Sequence, residues 1–460
     1  MMRSIVDTLG EADVAHVFLH HCTSWVDLGV LRAYAPGYQH FDQRALLLAR
    51  ANDIVCVAGH VEPAYLHFLS RLGLGPNRDR LMELSIRSVD GPEATLTQMI
   101  LQDEQALEAI CNLVSKQRSV VIHPYYASPS EWQLATELQR RLNQSVHVLG
   151  GDPATVARVN LKHHIHSKAR ELGVPVAPGE LVELDPGSHD ESVDLTPLQE
   201  AIERYLPCTG RVIVRATDQR TKRTRLVVTR GDSIEKAFED PDTRPLSNLY
   251  LVQAMFDIVT TPNVQLFVEA GRGAVSWVGL SDQCLDEDLA HRGNVFPSES
   301  RLVPDMLRSA YTLARWLQGE GYTGIVGFDF VEYIDPETRT RAYLLAEINA
   351  RVNEATYPRF LMEHLNAVQA QRKLPPICAF RSAKVSLTAT SFAELQDACG
   401  RELFDPETGR GAIPYNVGRL PYGRCDVALL GHSRREVEDL YDAFSARCKN
   451  PVPALAPMKP

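Results

Sequence analysis

The chain has 460 residues, of which 44% are hydrophobic and 23% are charged, and its net charge is −10. This length suggests about three domains, and it is ample to bury a core without disulfides or metal. The acidic balance argues against a general nucleic-acid binder, which is normally basic. No apolar run approaches the ~20 residues of a membrane helix, and no secretory signal is evident. Nine cysteines without a CxxC pair indicate reduced thiols, so we expect a cytoplasmic protein.

The first third of the chain alternates short apolar runs with segments of helical spacing. Four runs are typical of buried strands, namely Val14–Leu19, Ile54–Val57, Val120–His123 and Val146–Leu149. Because strands that alternate with helices usually form a parallel sheet, we expect a Rossmann-like α/β domain over residues 1–152. No GxGxxG follows any of these strands, so the sequence does not predict a dinucleotide site.

Residues 153–375 have a different character. A helix is predicted at Pro153–Leu172, and Gly173 and Pro175 are typical of its end. Segments rich in Val and Ile then predict strands, and the first two of them frame a polar loop, which indicates a β-hairpin. The predicted strands are Arg211–Arg215, Arg225–Thr229, Asn248–Met255, Val264–Glu269 and Ala274–Leu280. A smaller α+β domain is expected over residues 376–460.

The strongest chemical signal lies in two apolar strands that flank a turn. Gly324–Val331 contains Asp329, and Leu344–Arg351 contains Glu347 and Asn349. If the hairpin is symmetric about its turn, Asp329 faces Glu347 on one side of the sheet, and Asn349 shares that side. Facing carboxylates repel each other, and Mg²⁺, which commonly takes carboxylates together with substrate phosphates, removes the conflict. The alternative is an acidic strand face turned to solvent, and a one-residue slip in register would break the site.

Three further signals are cationic. The segment Arg211–Arg230 carries seven Lys or Arg side chains against a single acid. A basic hairpin in an acidic protein indicates an anionic ligand, with polyphosphate as the natural candidate, although a solvated charged hairpin is the alternative. Arg351 continues the strand of Glu347 and offers a planar fork for a carboxylate or phosphate. Lys162, on the helix before Gly173, is weak evidence for a ligand site by itself, and it supports one only together with the basic hairpin and the carboxylate strands.

The order of these features resembles the ATP-grasp superfamily over about residues 150–370. That order is a lysine-bearing helix, a basic hairpin, an apolar strand ending in Gln253-Ala254-Met255, then Asp329, then Glu347-Ile348-Asn349-Ala350-Arg351. Within the superfamily the chain looks most like the pheganomycin-type peptide ligases. The segments that carry this finer resemblance are 278–283, 291–297 and 411–416. The resemblance implies a pre-ATP-grasp domain, an ATP-grasp domain with antiparallel sheets, and a small C-terminal domain.

The resemblance also implies roles for individual residues. The expected nucleotide contacts are Lys162, Arg215, Gln253, Ala254 and Met255. The expected Mg²⁺ ligands are Asp329, Glu347 and Asn349. Arg351 would neutralise the acyl phosphate or the acid being activated, and Arg215 would act with it as a second phosphate-binding cation. The acceptor side of the pocket would draw on Ser281, Asp282, Gln283, His291 and Asn294.

The activity implied by the resemblance is an ATP- and Mg²⁺-dependent ligation of a carboxylate to an amine through an acyl phosphate. Amino acids or peptides of specialised metabolism are the implied substrates. The expected partners are thus a small-molecule acid and amine, without nucleic acid or membrane, and a homodimer is one candidate assembly. Two alternatives stay open. One is an ATP-binding regulatory or scaffold protein without turnover, which a glycine-free phosphate lid at 216–224 favours. The other is a ligase with a thiol or carbonate acceptor.

Overall fold

A computed structural model describes residues 13–23, 31, 35–85, 95–184, 194–217, 225–232 and 248–448. Most of the predicted phosphate lid, residues 218–224, lies outside these ranges. In the part described, the strands form one parallel sheet and two further sheets with antiparallel pairing. None of the described helices is long and apolar enough to cross a membrane.

The N-terminal sheet is parallel, with the strand order β3-β2-β1-β4-β5. Its strands are β1 (Val14–Leu19), β2 (Ile54–Ala58), β3 (Leu81–Leu84), β4 (Ser119–Pro124) and β5 (Ser145–Val148). The helices of this region are α1 (Pro63–Arg71), α2 (Leu96–Gln102), α3 (Glu104–Val114) and α4 (Pro129–Leu142). The predicted Rossmann-like α/β arrangement is confirmed. Strand β3 was not predicted, because Glu83 interrupts its apolar run of four residues.

The single helix predicted at Pro153–Leu172 is two helices, α5 (Pro153–Val159) and α6 (Lys162–Glu171). The side chain of Asn160 makes the break: its Nδ2 donates to the Val156 carbonyl at 2.7 Å, and its Oδ1 accepts from the Ala350 N–H at 3.2 Å. The helical prediction was wrong here because this capping depends on a residue 190 positions away in the chain. The break makes Lys162 the first residue of α6.

The second sheet is antiparallel, with the order β6-β9-β7-β8. Its strands are β6 (Gly179–Glu183), β7 (Arg211–Ala216), β8 (Arg225–Thr229) and β9 (Leu249–Ala254). Helix α7 (Thr196–Thr209) covers one face, where Ile202, Val212 and Val252 form a small separate core. The predicted hairpin of β7 and β8 is confirmed.

The third sheet has nine strands in the described chain, ordered β10-β14-β11-β12-β13-β16-β18-β17 with β15 beside β14. Its first strands are β10 (Ile258–Thr260), β11 (Pro262–Val268), β12 (Val275–Leu285), β13 (His291–Phe296), β14 (Gly324–Ile334) and β15 (Arg341–Asn349). The C-terminal segment adds β16 (Ala379–Ser386), β17 (Gly411–Tyr415) and β18 (Arg424–Gly431). The helices of this part of the chain are α8 (Val303–Gly319), α9 (Thr356–Arg372), α10 (Phe392–Cys399) and α11 (Arg434–Cys448). The hairpin that carries the two predicted carboxylates is therefore continuous, through the sheet, with strands from the end of the chain.

The approach of β13 to β16 depends on a glycine. A Cβ added at Gly293 would lie 1.8 Å from the main-chain oxygen of Ser382, in a strand that β18 holds from the other side. We expect Gly293→Ala to lower the free energy of unfolding by about 1–3 kcal/mol in a urea titration. Gly319→Ala is the matched control, because no atom lies within 4 Å of the added methyl group, and it should be neutral or slightly stabilising. Equal effects of the two substitutions would contradict this packing.

Candidate functional site

The hairpin of β14 and β15 brings two acidic side chains together. Asp329 pairs with Glu347 in the antiparallel register, as the sequence predicts. The midpoint between Asp329 and Glu347 in the sequence is Thr338, but the pairing of Ile334 with Arg341 centres the turn half a residue earlier. A β-bulge at Ala346 makes up this difference. The bulge returns the two carboxylates to facing positions on one side of the sheet.

Asp329 lies between two amide side chains. Its Oδ1 accepts from Nδ2 of Asn263 at 2.5 Å, and its Oδ2 accepts from Nδ2 of Asn349 at 2.8 Å. Burial and the negative charge of Glu347 raise the pKa of Asp329 to about 6. The two asparagines and Arg351 favour the ionised form without offsetting these two effects.

Glu347 is held ionised by cations. The Nζ atom of Lys162 lies 3.4 Å from its Oε2, at the start of α6. Burial alone would raise the pKa of Glu347, but the charges of Lys162, Arg215 and Arg351 lower it. The site therefore combines two adjacent carboxylates with cations, which is an arrangement suited to phosphate and a divalent metal.

The donors around Asp329 fit Mg²⁺. Asp329 and Glu347 offer carboxylate oxygens, Asn349 offers an amide, and the buried Oδ1 of Asn263 has no hydrogen-bond partner among the described residues. Nowhere in the described ranges do three His, Cys, Asp or Glu side chains converge as a metal site. An oxygen-only set with two carboxylates is what Mg²⁺ uses when phosphates complete its coordination.

A cavity of about 570 Å³ opens between the hairpin and the β6–β9 sheet. Its apolar end is lined by Ile213, Phe256, Ile258, Phe330 and Leu344. Of the predicted site residues, those that line it are Lys162, Arg215, Gln253, Ala254, Met255, Gln283, His291, Asn294, Asp329, Glu347, Asn349 and Arg351. The volume falls in the range of small-molecule sites. One cavity thus collects residues that lie far apart in the sequence.

The strand end that was expected to hold adenine is already hydrogen-bonded. The N–H of Ala254 donates to the carbonyl of Pro178 at 2.8 Å, and the N–H of Met255 donates to that of Arg211 at 3.0 Å. These two N–H groups are therefore already used within the protein, and the adenine contact of Gln253, Ala254 and Met255 stays a prediction. Gln253 is buried, and its side-chain oxygen accepts from the guanidinium of Arg215.

Two of the expected acceptor-side residues lie outside the cavity lining. Asp282 is buried and accepts from Ser298 Oγ, from the Glu299 N–H at 2.8 Å and from Arg434 Nη1 at 2.9 Å. These contacts connect β12 to the start of α11, so Asp282 has a structural role in the described chain. Ser281 is also buried and does not reach the cavity.

Several lining residues were not predicted from the sequence. Asn263 interrupts the apolar strand β11, and that polar residue is a signal that could have been read. Asn353 and Glu354 closely follow the predicted Arg351, so their place near the site could have been inferred. Tyr125 and Lys384 stand in distant segments, and only tertiary packing brings them to the cavity.

The N-terminal domain supports this wall of the cavity through a buried arginine. The guanidinium of Arg44 stacks 3.8 Å from the ring centroid of Tyr125 and forms an ion pair of 3.1 Å with Glu354. Burial would raise the pKa of Glu354, but Arg44, Lys384 and other neighbouring cations lower it. The carboxylate of Glu354 is thus kept charged at the cavity wall.

The comparisons with known proteins agree with this architecture. Residues 42–140 match the family model described as "Pre ATP-grasp domain". No curated protein sequence matches the chain. An N5-carboxyaminoimidazole synthetase from Staphylococcus aureus is similar in structure, with a TM-score of 0.52, 10% identity, and coverage of 95% of this chain and 98% of that one. An N5-carboxyaminoimidazole synthase from Aspergillus clavatus, solved with ADP and 5-aminoimidazole ribonucleotide, has a TM-score of 0.51 and 12% identity. The match covers 95% of this chain and 99% of that one.

A third solved structure extends the likeness to another activity. The biotin carboxylase of Campylobacter jejuni, solved with an ATP analogue, has a TM-score of 0.52 and 12% identity, and 96% of each chain is covered. At these identities the likeness concerns the fold. Residues 42–140 thus match the pre-ATP-grasp domain, and the chain shares its fold with the N5-carboxyaminoimidazole synthetases and the biotin carboxylase.

Proposed function

We propose that the chain is an ADP-forming ligase that joins a carboxylic acid to an amine at the expense of MgATP. The observation that carries this proposal is the facing pair Asp329 and Glu347 in a cavity with Lys162, Arg215 and Arg351. Two carboxylates that hold a metal, surrounded by cations that hold phosphates, are the means by which phosphoryl transfer is catalysed. The fold shared with ATP- and ADP-bound enzymes supports this assignment.

The reaction would proceed in two steps. An oxygen of the substrate carboxylate attacks the γ-phosphorus of ATP, so that a C(O)O–P bond forms and ADP leaves. The amine nitrogen then attacks the acyl carbon, the C–N bond forms, and the C–O bond to phosphate breaks. Mg²⁺, held by Asp329, Glu347 and Asn349, would supply charge neutralisation between the phosphates.

The side chains of the cavity have separable tasks in this scheme. Lys162 would exchange its contact with Glu347 for the nucleotide phosphates, and the carboxylate of Glu347 would then be available to hold the metal. Arg215, anchored on Gln253, would hold the same phosphates from the opposite sheet. Arg351 is buried beside Tyr125 and would stabilise the charge of the acyl phosphate. The apolar end of the cavity, where the ring centroid of Phe256 lies 4.1 Å from that of Tyr333, would take the adenine ring.

The finer proposal concerns the substrate class. Charges of both signs at the far end of the cavity, Glu354 and Lys384, suit amino acids or peptides as substrates. This agrees with the resemblance to pheganomycin-type peptide ligases over segments 278–283, 291–297 and 411–416. We therefore place the chain among ligases that form a peptide or related amide bond.

An assay with MgATP and pooled carboxylic acids and amines tests the activity. ADP release is followed by a coupled assay, and new amides are sought by mass spectrometry. We expect one equivalent of amide for each ADP. ATP binding without ADP release from any combination would contradict ligation and favour a nucleotide-binding regulatory protein. New thioesters or carboxylated products in place of amides would assign a different acceptor.

A further inference from the structure

The end of the cavity formed by β13 and β16 contains a lysine ammonium group and a carboxylate. Lys384, on β16, is an exposed residue that lines the cavity, and its Nζ donates to the carbonyl of His291 at 3.4 Å. Among the described residues, no acid lies within ion-pair distance of Lys384, whereas Glu354 on the same wall is paired with Arg44. A lysine that faces a cavity in this way can bind a ligand anion.

Asn294 adds an unsatisfied donor at the same place. Asn294 is 1% exposed, and its Nδ2 has no hydrogen-bond partner in the described structure. The main chain of Asn294 is fixed by the hydroxyl of Ser382 at 2.9 Å. A buried donor that is held toward a cavity without a partner costs stability unless a ligand accepts from it.

The charges of the cavity wall follow an order that the chain and the sheet set. Glu354 comes three residues after Arg351 and five after Asn349, so a short segment joins it to the carboxylate pair. Lys384 lies on β16, which is four strands away from β14 and Asp329 in the order β14-β11-β12-β13-β16. Glu354 is therefore on the side of the phosphate-binding centre, and Lys384 is farther from it.

We propose that this end of the cavity binds an α-amino acid as the amine acceptor, with its ammonium group on Glu354 and its carboxylate on Lys384 and Asn294. The order of charges points the amino group toward the acyl phosphate and the carboxylate away from it. The inference rests on the proposed ligase function and names its acceptor. The ammonium loses one proton to solvent, the free amine forms the C–N bond as the C–O bond to phosphate breaks, and the second proton leaves with the released phosphate.

Calorimetric titration of the full chain, saturated with Mg²⁺ and a non-hydrolysable ATP analogue, tests this assignment. The probes are the proteinogenic amino acids one by one, their α-amides and their N-acetyl derivatives. We expect at least one free amino acid to bind, and both of its blocked forms to bind at least about tenfold more weakly, because each loses a charge-assisted contact. Tight binding of an α-amide, or of a dipeptide in preference to every free amino acid, would overturn the proposal.

Variants at position 384 separate a ligand contact from a structural role. Lys384→Gln should weaken binding of the free amino acid by about tenfold to a hundredfold and abolish its advantage over the α-amide. Lys384→Arg should restore most of that advantage, and Lys116→Gln, at an exposed position away from the cavity, should change neither affinity. An unchanged preference in Lys384→Gln would overturn the proposal, as would the absence of binding by any amino acid while the ATP analogue binds. If the ATP analogue itself does not bind, the proposed function fails and this inference fails with it.

Discussion

Glu347→Gln should lower the rate of ADP release by about a hundredfold to a thousandfold, the loss expected when one preorganised electrostatic contact to the transition state is removed. The substitution keeps the shape of the side chain but removes the negative charge that faces Asp329. It also leaves Lys162, which lies 3.4 Å from Glu347, without its anionic partner. The metal would then be held by a single carboxylate, so the charge on the phosphates would be less well balanced.

The measurement is a coupled ADP assay with the acid and amine that the wild-type protein uses. Glu337→Gln is the matched control, because Glu337 is an exposed residue in the turn of the same hairpin. The control should retain the wild-type rate, and both variants should keep the wild-type circular dichroism spectrum. A near-normal rate in Glu347→Gln would show that Glu347 is not part of the catalytic centre.

Metal affinity should depend on pH because of Asp329. Its pKa is raised to about 6, mainly by burial and by the charge of Glu347, and Mg²⁺ requires the ionised form. As the pH falls through about 6, the carboxyl becomes protonated, and Mg²⁺ affinity should fall about tenfold for each further pH unit. A carboxylate with the ordinary aspartate pKa would keep its metal affinity down to about pH 4.

The apparent Mg²⁺ affinity can be measured by titration in the presence of a fixed concentration of ATP. Because ATP itself titrates in this range, the useful quantity is the ratio of wild-type affinity to that of Asp329→Asn. This ratio should be constant above pH 7 and should decline toward one below pH 6. A ratio that is independent of pH between 7 and 5 would contradict the assignment of Asp329 as a metal ligand.

The centre of the site could be predicted from the sequence because it is carried by one hairpin. Acidic residues inside apolar strands are unusual, and the spacing of Asp329 and Glu347 about a turn sets their pairing. The predicted pairing nevertheless depends on a bulge at Ala346, which cannot be predicted from the sequence. Without this bulge, the centre of the turn would pair Asp329 with Ala346, and the two carboxylates would lie on opposite faces of the sheet.

Features that depend on contacts between distant segments could not be predicted. Asn160 breaks a helix through a bond to the main chain of Ala350, and the helical spacing on either side continues as if the break were absent. Lys384 reaches the cavity only because its strand joins the sheet of the hairpin. The resemblance implies Asp282 as an acceptor-side residue, yet its carboxylate accepts from Arg434, which lies far away in the sequence.

The most direct test of the central claim is a crystal structure with a non-hydrolysable ATP analogue and Mn²⁺ in place of Mg²⁺, with anomalous scattering used to locate the metal. We predict an anomalous peak within about 2.1–2.3 Å of carboxylate oxygens from both Asp329 and Glu347, with the nucleotide phosphates completing its coordination. A metal bound elsewhere, or the two carboxylates turned to opposite sides of the sheet, would contradict the account.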